Sequence, residues 1–321
     1  MTHVIGVDLG GTKTAAGVVS PSGEVLMTET IPTLNRDGGE AILDATAALI
    51  AGLAERAADA GHPVSGVGVG SAGVIDATSG MVVSATDAIL GWAGTPLVSG
   101  LSSRLGLAVR AVNDVHAHAL GEAWLGASAG SASSLMVAFG TGVGGSFVLG
   151  GSPVLGHRFV GGHVGHFASP FAVSDGVPLP CVCGSAGHVE AIASGPAIHE
   201  AYLRGGGSAV SATDTRGVFS LAAAEDHDGG ASFGASRDAA VRAIHVGATA
   251  AGQSVGGLIN ILDPETVVIS GGLADAGDLW WKPMEAALRQ ELLAPLAAVP
   301  VLRASLGNSA AIIGAAKLVL L

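Results

Sequence analysis

The sequence predicts an α/β protein of two lobes built on a repeated plan, and three observations predict it. A strand, a glycine turn and a second strand occupy Val4 to Val19, VIGVDLGGTKTAAGVV, and the same plan returns at Leu135 to Leu149, LMVAFGTGVGGSFVL. Short β-branched runs alternate with helical patterns through the rest of the chain, the order expected of α/β architecture. At 321 residues the chain can bury more than one core.

Composition removes several classes of function. Hydrophobic residues make up 49% and charged ones 12%, too apolar a balance for disorder. A net charge of −12 lacks the basic footprint that nucleic acid requires, so no nucleic-acid partner is expected. The start, MTHVIGVDLGG, has neither the basic beginning nor the apolar stretch of a signal peptide. Mean hydropathy is +0.56. The longest weakly polar run, Val246 to Leu262, is broken by Gln253, Ser254 and Asn260, which predicts a buried helix and no membrane partner. Two cysteines placed for a metal point to a reducing compartment, and a soluble cytoplasmic protein is expected.

The elements follow in order. In the first hairpin Gly10, Gly11, Thr12 and Lys13 form the turn, and glycine there lets backbone N–H groups approach phosphate oxygens. The Walker spacing is absent, so the hairpin reads either as a phosphate turn or as an ordinary one. Ala41 to Ala58 has helical spacing, Val64 to Gly70 is a strand, and Asp76 to Gly80 is a tight turn. Pro96 opens a helix that ends near Gly106, and Val109 to Val112 is a strand. Asn113 and Asp114 stand where that strand passes into a helix, Val115 to Gly126. Asp114 is either a carboxylate in a cleft or a helix cap.

In the second hairpin Gly140, Gly142 and Gly145 satisfy G-x-G-x-x-G formally, but Ser146 to Leu149 continues as a strand, so the dinucleotide reading fails. Two such hairpins could each grip one end of a polyphosphate. Val189 to Leu203 reads as a helix broken at Gly195 and Pro196, and Ser208 to Asp228 as irregular with a loop at 226–230. Ser236 to Leu262 reads as one long helix or two shorter ones. Thr266 to Ser270 is a strand ending in Gly271 and Gly272, a turn where backbone could approach a flat ligand. Met284 to Leu293, Val299 to Arg303 and Ser309 to Leu320 follow as helix, strand and helix. The lobe boundary is expected near Asn113, giving 1–113 and 114–321, with the last helix, 309–321, packing back on the first lobe.

Gly161 to Glu190 holds Cys181 and Cys183 with His163, His166 and His188 nearby. Thiolates and imidazoles at this spacing suit a tetrahedral zinc ion on His166, Cys181, Cys183 and His188. The alternatives are a strained disulfide across one residue, or unrelated thiols and surface histidines. A metal would leave His163 and Glu190 to face a ligand.

Taken together, DLGGTK at 8–13, ND at 113–114, GTGVGG at 140–145, GHVGH at 162–166 and CVCGSAGHVEAIASG at 181–195 resemble the ROK family of sugar kinases and repressors. The resemblance covers nearly the whole chain. It implies an actin-like, ribonuclease H-like duplicated ATPase fold with an interlobe cleft, a homodimer, and transfer from ATP to a sugar hydroxyl, usually on carbon six. It implies Asp114 as general base, and Asn113, His163, His166 and Glu190 as sugar contacts. The same resemblance implies Gly10, Gly11, Thr12 and Lys13 with Gly140, Thr141, Gly142, Gly144 and Gly145 as phosphate loops. Asp8 would serve Mg²⁺, Gly271 and Gly272 would lie beside adenosine, and the zinc would be structural.

Three positions depart from the family pattern. His188 replaces a third cysteine, Ala88 an asparagine, and His163 a glutamate. Neutral imidazole donates or accepts and brings no charge to desolvate, so His163 suits an N-acyl group near carbon two. The GHVGH and VEAIASG stretches are similar to bacterial N-acetylmannosamine kinases, with glucose or fructose kinases as the alternative. A repressor would carry an added DNA-binding module, and the hairpin that begins at Val4 argues against one. A sugar-binding protein without catalysis is the remaining reading, which the retained Asp114 opposes.

Overall fold

A computed structural model describes residues 2–224 and 230–320, with the side chains of 230–233 left aside. In chain order the first elements are β1 (His3–Leu9), β2 (Lys13–Val19), β3 (Val25–Pro32), α1 (Gly38–Asp59), β4 (Val64–Ser71), β5 (Val74–Asp76) and β6 (Met81–Ser84). Next come α2 (Leu97–Leu105), β7 (Ala108–Asn113), α3 (Asp114–Trp124), β8 (Ser133–Phe139), β9 (Val143–Leu149) and β10 (Ser152–Pro153). The short strands β11 (Val173–Ser174) and β12 (Val177–Pro178) precede α4 (Glu190–Ala193), α5 (Gly195–Arg204), α6 (Thr215–Ala223) and α7 (Gly230–Leu262). The chain closes with β13 (Thr266–Ser270), α8 (Asp278–Glu291), β14 (Val301–Arg303) and α9 (Ala310–Leu320).

Two compact units result. One comprises residues up to Ser134, Ser146–Gly162 and those from Ala304 on; the other comprises Leu135–Gly145 and His163–Arg303. The chain is thus divided elsewhere than at residue 113. Helix α3 stays in the first unit because it packs on α9.

The first unit is built on the sheet β3-β2-β1-β4-β7, in which β1, β4 and β7 run parallel. Alternation along β1 sends Ile5, Val7 and Leu9 into a core with Leu43, Ile50 and Leu53 of α1 and Leu97 and Leu101 of α2. Burying each such side chain stabilises by roughly 1.5–3 kcal/mol. On the other face Val4 meets Ile312 and Ala316 of α9. The backbone of α9 crosses this face directly over glycines. A Cβ on Gly68 would lie 1.7 Å from the Ala315 carbonyl oxygen, and one on Gly6 would lie 1.9 Å from that of Ile312. Helix α3 reaches α9 in the same way, through Gly121 and Gly314.

The second sheet runs β10-β9-β8-β13-β14, and β13, β14 and nearly all of β8 belong to the second unit. Helix α7 packs along α8 and touches α5 and α6. Gly252 lets the backbone of α8 approach, since a Cβ there would come 2.1 Å from the Met284 carbonyl oxygen. Trp280 is fully buried, with its ring 5.4 Å from that of Phe139.

The stretch Ser208 to Asp228 departs from its expected irregularity. Asp214 caps α6, its Oδ1 accepting from the Gly217 N–H at 2.8 Å, while Val218, Leu221 and Ala222 are buried. The polar loop expected at 226–230 lies, except for Gly230, outside the described residues. Among the described residues no helix is long and apolar enough to cross a membrane.

The glycine crossings make a direct prediction. Gly68→Ala should cost on the order of 2–4 kcal/mol, because the new methyl meets helix backbone that cannot move aside. Gly257→Ala, where a Cβ meets nothing within 4 Å, should be neutral or stabilise by up to about 1 kcal/mol. Urea unfolding of both variants measures the contrast.

Candidate active site

In the first unit the carboxyl ends of the parallel strands fall into register, with Leu9 opposite Ser71 and Ser71 opposite Asn113. Ligands gather at such ends in open α/β sheets. Asp8, the turn after Ser71 and Asn113–Asp114 are brought together there. Asn113 is the helix cap: its Oδ1 accepts from the Val115 N–H at 2.9 Å, and its Nδ2 donates to the Gly73 carbonyl at 2.9 Å. Asp114 therefore lies inside the first turn of α3, where its Oδ1 also accepts from the Val115 N–H at 2.9 Å. The start of that helix is pressed on β4, since a Cβ on Gly70 would meet Ala117 at 2.6 Å and the Asp114 Cα at 3.5 Å.

Burial, followed by the negative charge of Asp114, pushes the Asp8 carboxyl up to about 6, with Lys13 pulling the other way. Two carboxylates that raise one another's charge cost suit a divalent cation.

The turn between β1 and β2 has a specific hydrogen-bond pattern. Gly10 N–H donates to the Lys13 carbonyl at 3.0 Å, and the Thr12 carbonyl accepts from the Thr33 N–H at 3.0 Å. The N–H groups of Gly11 and Thr12 donate to no protein acceptor among the described residues. The second turn follows the same logic. Gly140 N–H donates to Gly142 at 2.9 Å, Gly195 N–H to Gly140 at 2.8 Å, and Val143 N–H to Glu190 Oε2 at 2.7 Å. Thr141 and Gly142 keep N–H groups outside the protein's own bonding among the described residues. A Cβ at 142 would sit 2.7 Å from Glu190 Oε2, so a side chain there would displace the carboxylate that accepts from Val143. Gly144 and Gly145 lie within β9, and Gly145 packs against Val164.

Beside this turn a cavity of about 540 Å³ is lined by Gly140, Thr141 and Gly272, and also by Pro196, Arg216 and Phe219. Gly271, at φ +86°, ends β13 against the Phe139 carbonyl, where any side chain would clash. Arg216 and Phe219 lie on α6, within a stretch whose patterning reads as irregular. The signal available was Asp214 as a cap, followed by buried spacing at 218, 221 and 222.

His166, Cys181, Cys183 and His188 offer donor atoms that all lie within 4.8 Å of one another. Both thiols are free, which removes the disulfide alternative. Cys181 Sγ stands 3.5 Å from His166 Nδ1, and Cys183 Sγ 3.3 Å from His188 Nδ1. Zinc–sulfur bonds of about 2.3 Å and zinc–nitrogen bonds of about 2.05 Å at tetrahedral angles put S and N about 3.6 Å apart, so the donor set fits such an ion. Burial pushes the Cys181 thiol up and the His166 imidazole down, with Glu190 opposing the latter.

Glu190 is buried, and its Oε1 lies 4.0 Å from Cys181 Sγ, so one carboxylate touches both the glycine turn and the Cys/His cluster. His163 precedes the single turn Val164–His166, its ring centroid 6.2 Å from that of His166. Of the expected sugar contacts, His163, His166 and Glu190 thus gather around this cluster, and Asn113 belongs to the first unit.

The Asp8 shift has a consequence for stability. The unfolded chain releases this proton near 3.8 and the folded chain near 6, so the ionised carboxylate weakens the fold as pH rises through that window. Asp8→Asn should raise stability in metal-free buffer by on the order of 1–3 kcal/mol at about pH 7.5 and by little at about pH 4. Urea unfolding at the two pH values checks the sign.

The sequence profile of the ROK family matches residues 4–321. A glucokinase of Streptomyces coelicolor is 35% identical over 99% of this chain and 98% of its own length. An N-acetyl-D-glucosamine kinase of Haemophilus influenzae is 30% identical over 98% of each. A ROK family glucokinase from Streptomyces griseus, solved in complex with glucose and AMPPNP, is 32% identical with a TM-score of 0.78 and coverage of 98% on both sides. With a match running from the first strand to the last helix, the chain belongs to the ROK family and has its actin-like, two-domain α/β fold.

Proposed function

We propose that the protein is an ATP-dependent kinase that phosphorylates the 6-hydroxyl of an N-acylhexosamine, N-acetylmannosamine first among them. The observation that carries the kinase reading is the pair of glycine turns, each keeping two successive N–H groups out of the fold's own hydrogen bonds. Such groups suit phosphate oxygens. The cavity beside Gly140 and Gly272 suits the adenosine end.

Asp114 accepts the proton of the 6-hydroxyl as its oxygen bonds to the γ-phosphorus. The bond from that phosphorus to the β–γ bridging oxygen breaks, and ADP leaves with the electron pair. Asp8 is the residue that would hold Mg²⁺, which supplies charge neutralisation at the phosphates when bound. His166, Cys181, Cys183 and His188 would hold zinc as a structural ion, which keeps Glu190 and His163 in place for the sugar. Asn113 adds a further sugar contact, and Lys13 a cation beside the phosphates.

Sugar choice rests on His163. Identity over a whole chain counts mostly scaffold, whereas the His163 ring stands 6.2 Å from that of His166. Glucose is the second reading, favoured by the name of the Streptomyces coelicolor relative. The family resemblance also supports a homodimer.

The decisive measurement is kcat/KM on N-acetylmannosamine and on glucose, which should favour the former by about tenfold or more; a glucose preference overturns the assignment. Asp114→Asn should lower kcat by about 10²–10⁴ with the fold intact, and equal turnover would remove Asp114 as base. Metal analysis of the purified chain should return one zinc per chain. Cys183→Ser should release that ion and lower Tm, and a metal-free wild type of unchanged Tm would remove the structural role.

A further inference from the structure

We propose that Thr33 and Asn35, in the segment after β3, are positioning residues that aim the amides of the first glycine turn. The proposal rests on reading that turn as a nucleotide phosphate cradle. A peptide unit is planar, with its C=O and the next residue's N–H pointing in opposite directions. Tying down one carbonyl therefore aims one amide.

The structure ties both. Thr33 Oγ1 donates to the Gly10 carbonyl at 2.8 Å, which fixes the plane carrying the Gly11 N–H. Asn35 Nδ2 donates to the Gly11 carbonyl at 2.7 Å, which fixes the plane carrying the Thr12 N–H. These are the two N–H groups that find no protein acceptor among the described residues. Each side chain thus governs one ligand-facing amide without facing the ligand itself.

Both residues are held in turn. The Thr33 hydroxyl is buried and shares a hydrogen bond of 2.9 Å with the buried Thr14 hydroxyl. Asn35 N–H donates to the Thr33 carbonyl at 2.8 Å, and the Asn35 carbonyl accepts from the Leu90 N–H at 2.9 Å. The brace is therefore anchored in β2 and in the segment that leads to Trp92. A glycine turn without it would keep its space but lose its direction, because Gly10 and Gly11 resist rotation least of all residues.

The test separates aim from stability by measuring affinity for AMPPNP and for adenosine on the same proteins by calorimetry. Thr33→Val and Asn35→Ala should each weaken AMPPNP by about tenfold while adenosine binding stays unchanged. Thr33→Ser, which keeps the hydroxyl, should restore wild-type AMPPNP affinity. A parallel loss of both ligands would mark a folding effect and overturn the proposal, as would unchanged AMPPNP affinity in the two variants. A wild-type chain that binds adenosine but gains nothing from the phosphates would overturn the cradle reading itself, and the positioning role with it.

Discussion

An amide left free for a ligand cannot also serve the fold, and in both glycine turns two successive N–H groups stay outside the fold's own bonds among the described residues. A turn is normally rigid because its N–H groups are bonded internally, yet a phosphate-facing turn must leave them outward. The chain resolves the conflict by bonding the other side of the peptide. At the first turn Thr33 and Asn35 hold carbonyls; at the second, the Gly195 N–H holds the Gly140 carbonyl and Glu190 takes the flanking Val143 N–H. Rigidity then comes from acceptors, and the donors remain available. The arrangement demands space at the turn, since a Cβ at Gly142 would displace the Glu190 carboxylate.

The same economy of space explains much of the glycine content. Helix α9 lies on the first sheet at backbone distance over Gly6 and Gly68, and α3 lies on α9 through Gly121 and Gly314. These contacts hold the start of α3, and with it Asp114, close to the end of β4. Side chains large enough to fill a conventional interface would push α3 outward and carry the carboxylate with it. The fully buried Glu122 reinforces this: its carboxylate accepts from the N–H groups of Ala127, Ser305 and Leu306, joining α3 to the approach of α9. A buried charge is tolerable only with such donors.

Functional groups here work against stability, and their surroundings compensate. Burial and then the neighbouring Asp114 charge make Asp8 ionise reluctantly, a position that suits cation binding. Glu190 is buried between a glycine turn and the Cys181 thiol, a position that offers one hydrogen-bond donor at 2.7 Å and a second contact at 4.0 Å. The Cys/His loop around it has little regular structure beyond the paired β11 and β12 and the bridges at Ala168–His188 and Pro180–Ala186. Four donors converge in this loop, the arrangement that a bound ion would need to hold the loop in shape.

Sequence alone determined the repeated hairpins, the exclusion of a dinucleotide motif at Gly140–Gly145, a helix break expected at Gly195 and Pro196 and found at Ser194, and the four members of the Cys/His cluster. Each is written in local chemistry: β-branched runs, glycine at turns, proline at a helix start, soft ligands at short spacing. The tertiary structure decided that Asn113, and not Asp114, caps α3, with the Asn113 amide held by the Gly73 carbonyl. It decided that α6 exists, since the helical signal after Asp214 is short and acquires its partner only when α7 packs on it. It decided the unit boundaries, because the last helix returns from the far end of the chain to cover β1 and β4. Thr33 and Asn35 were invisible for the same reason: nothing in a threonine or an asparagine two residues apart reveals that a turn more than twenty residues earlier needs its carbonyls held.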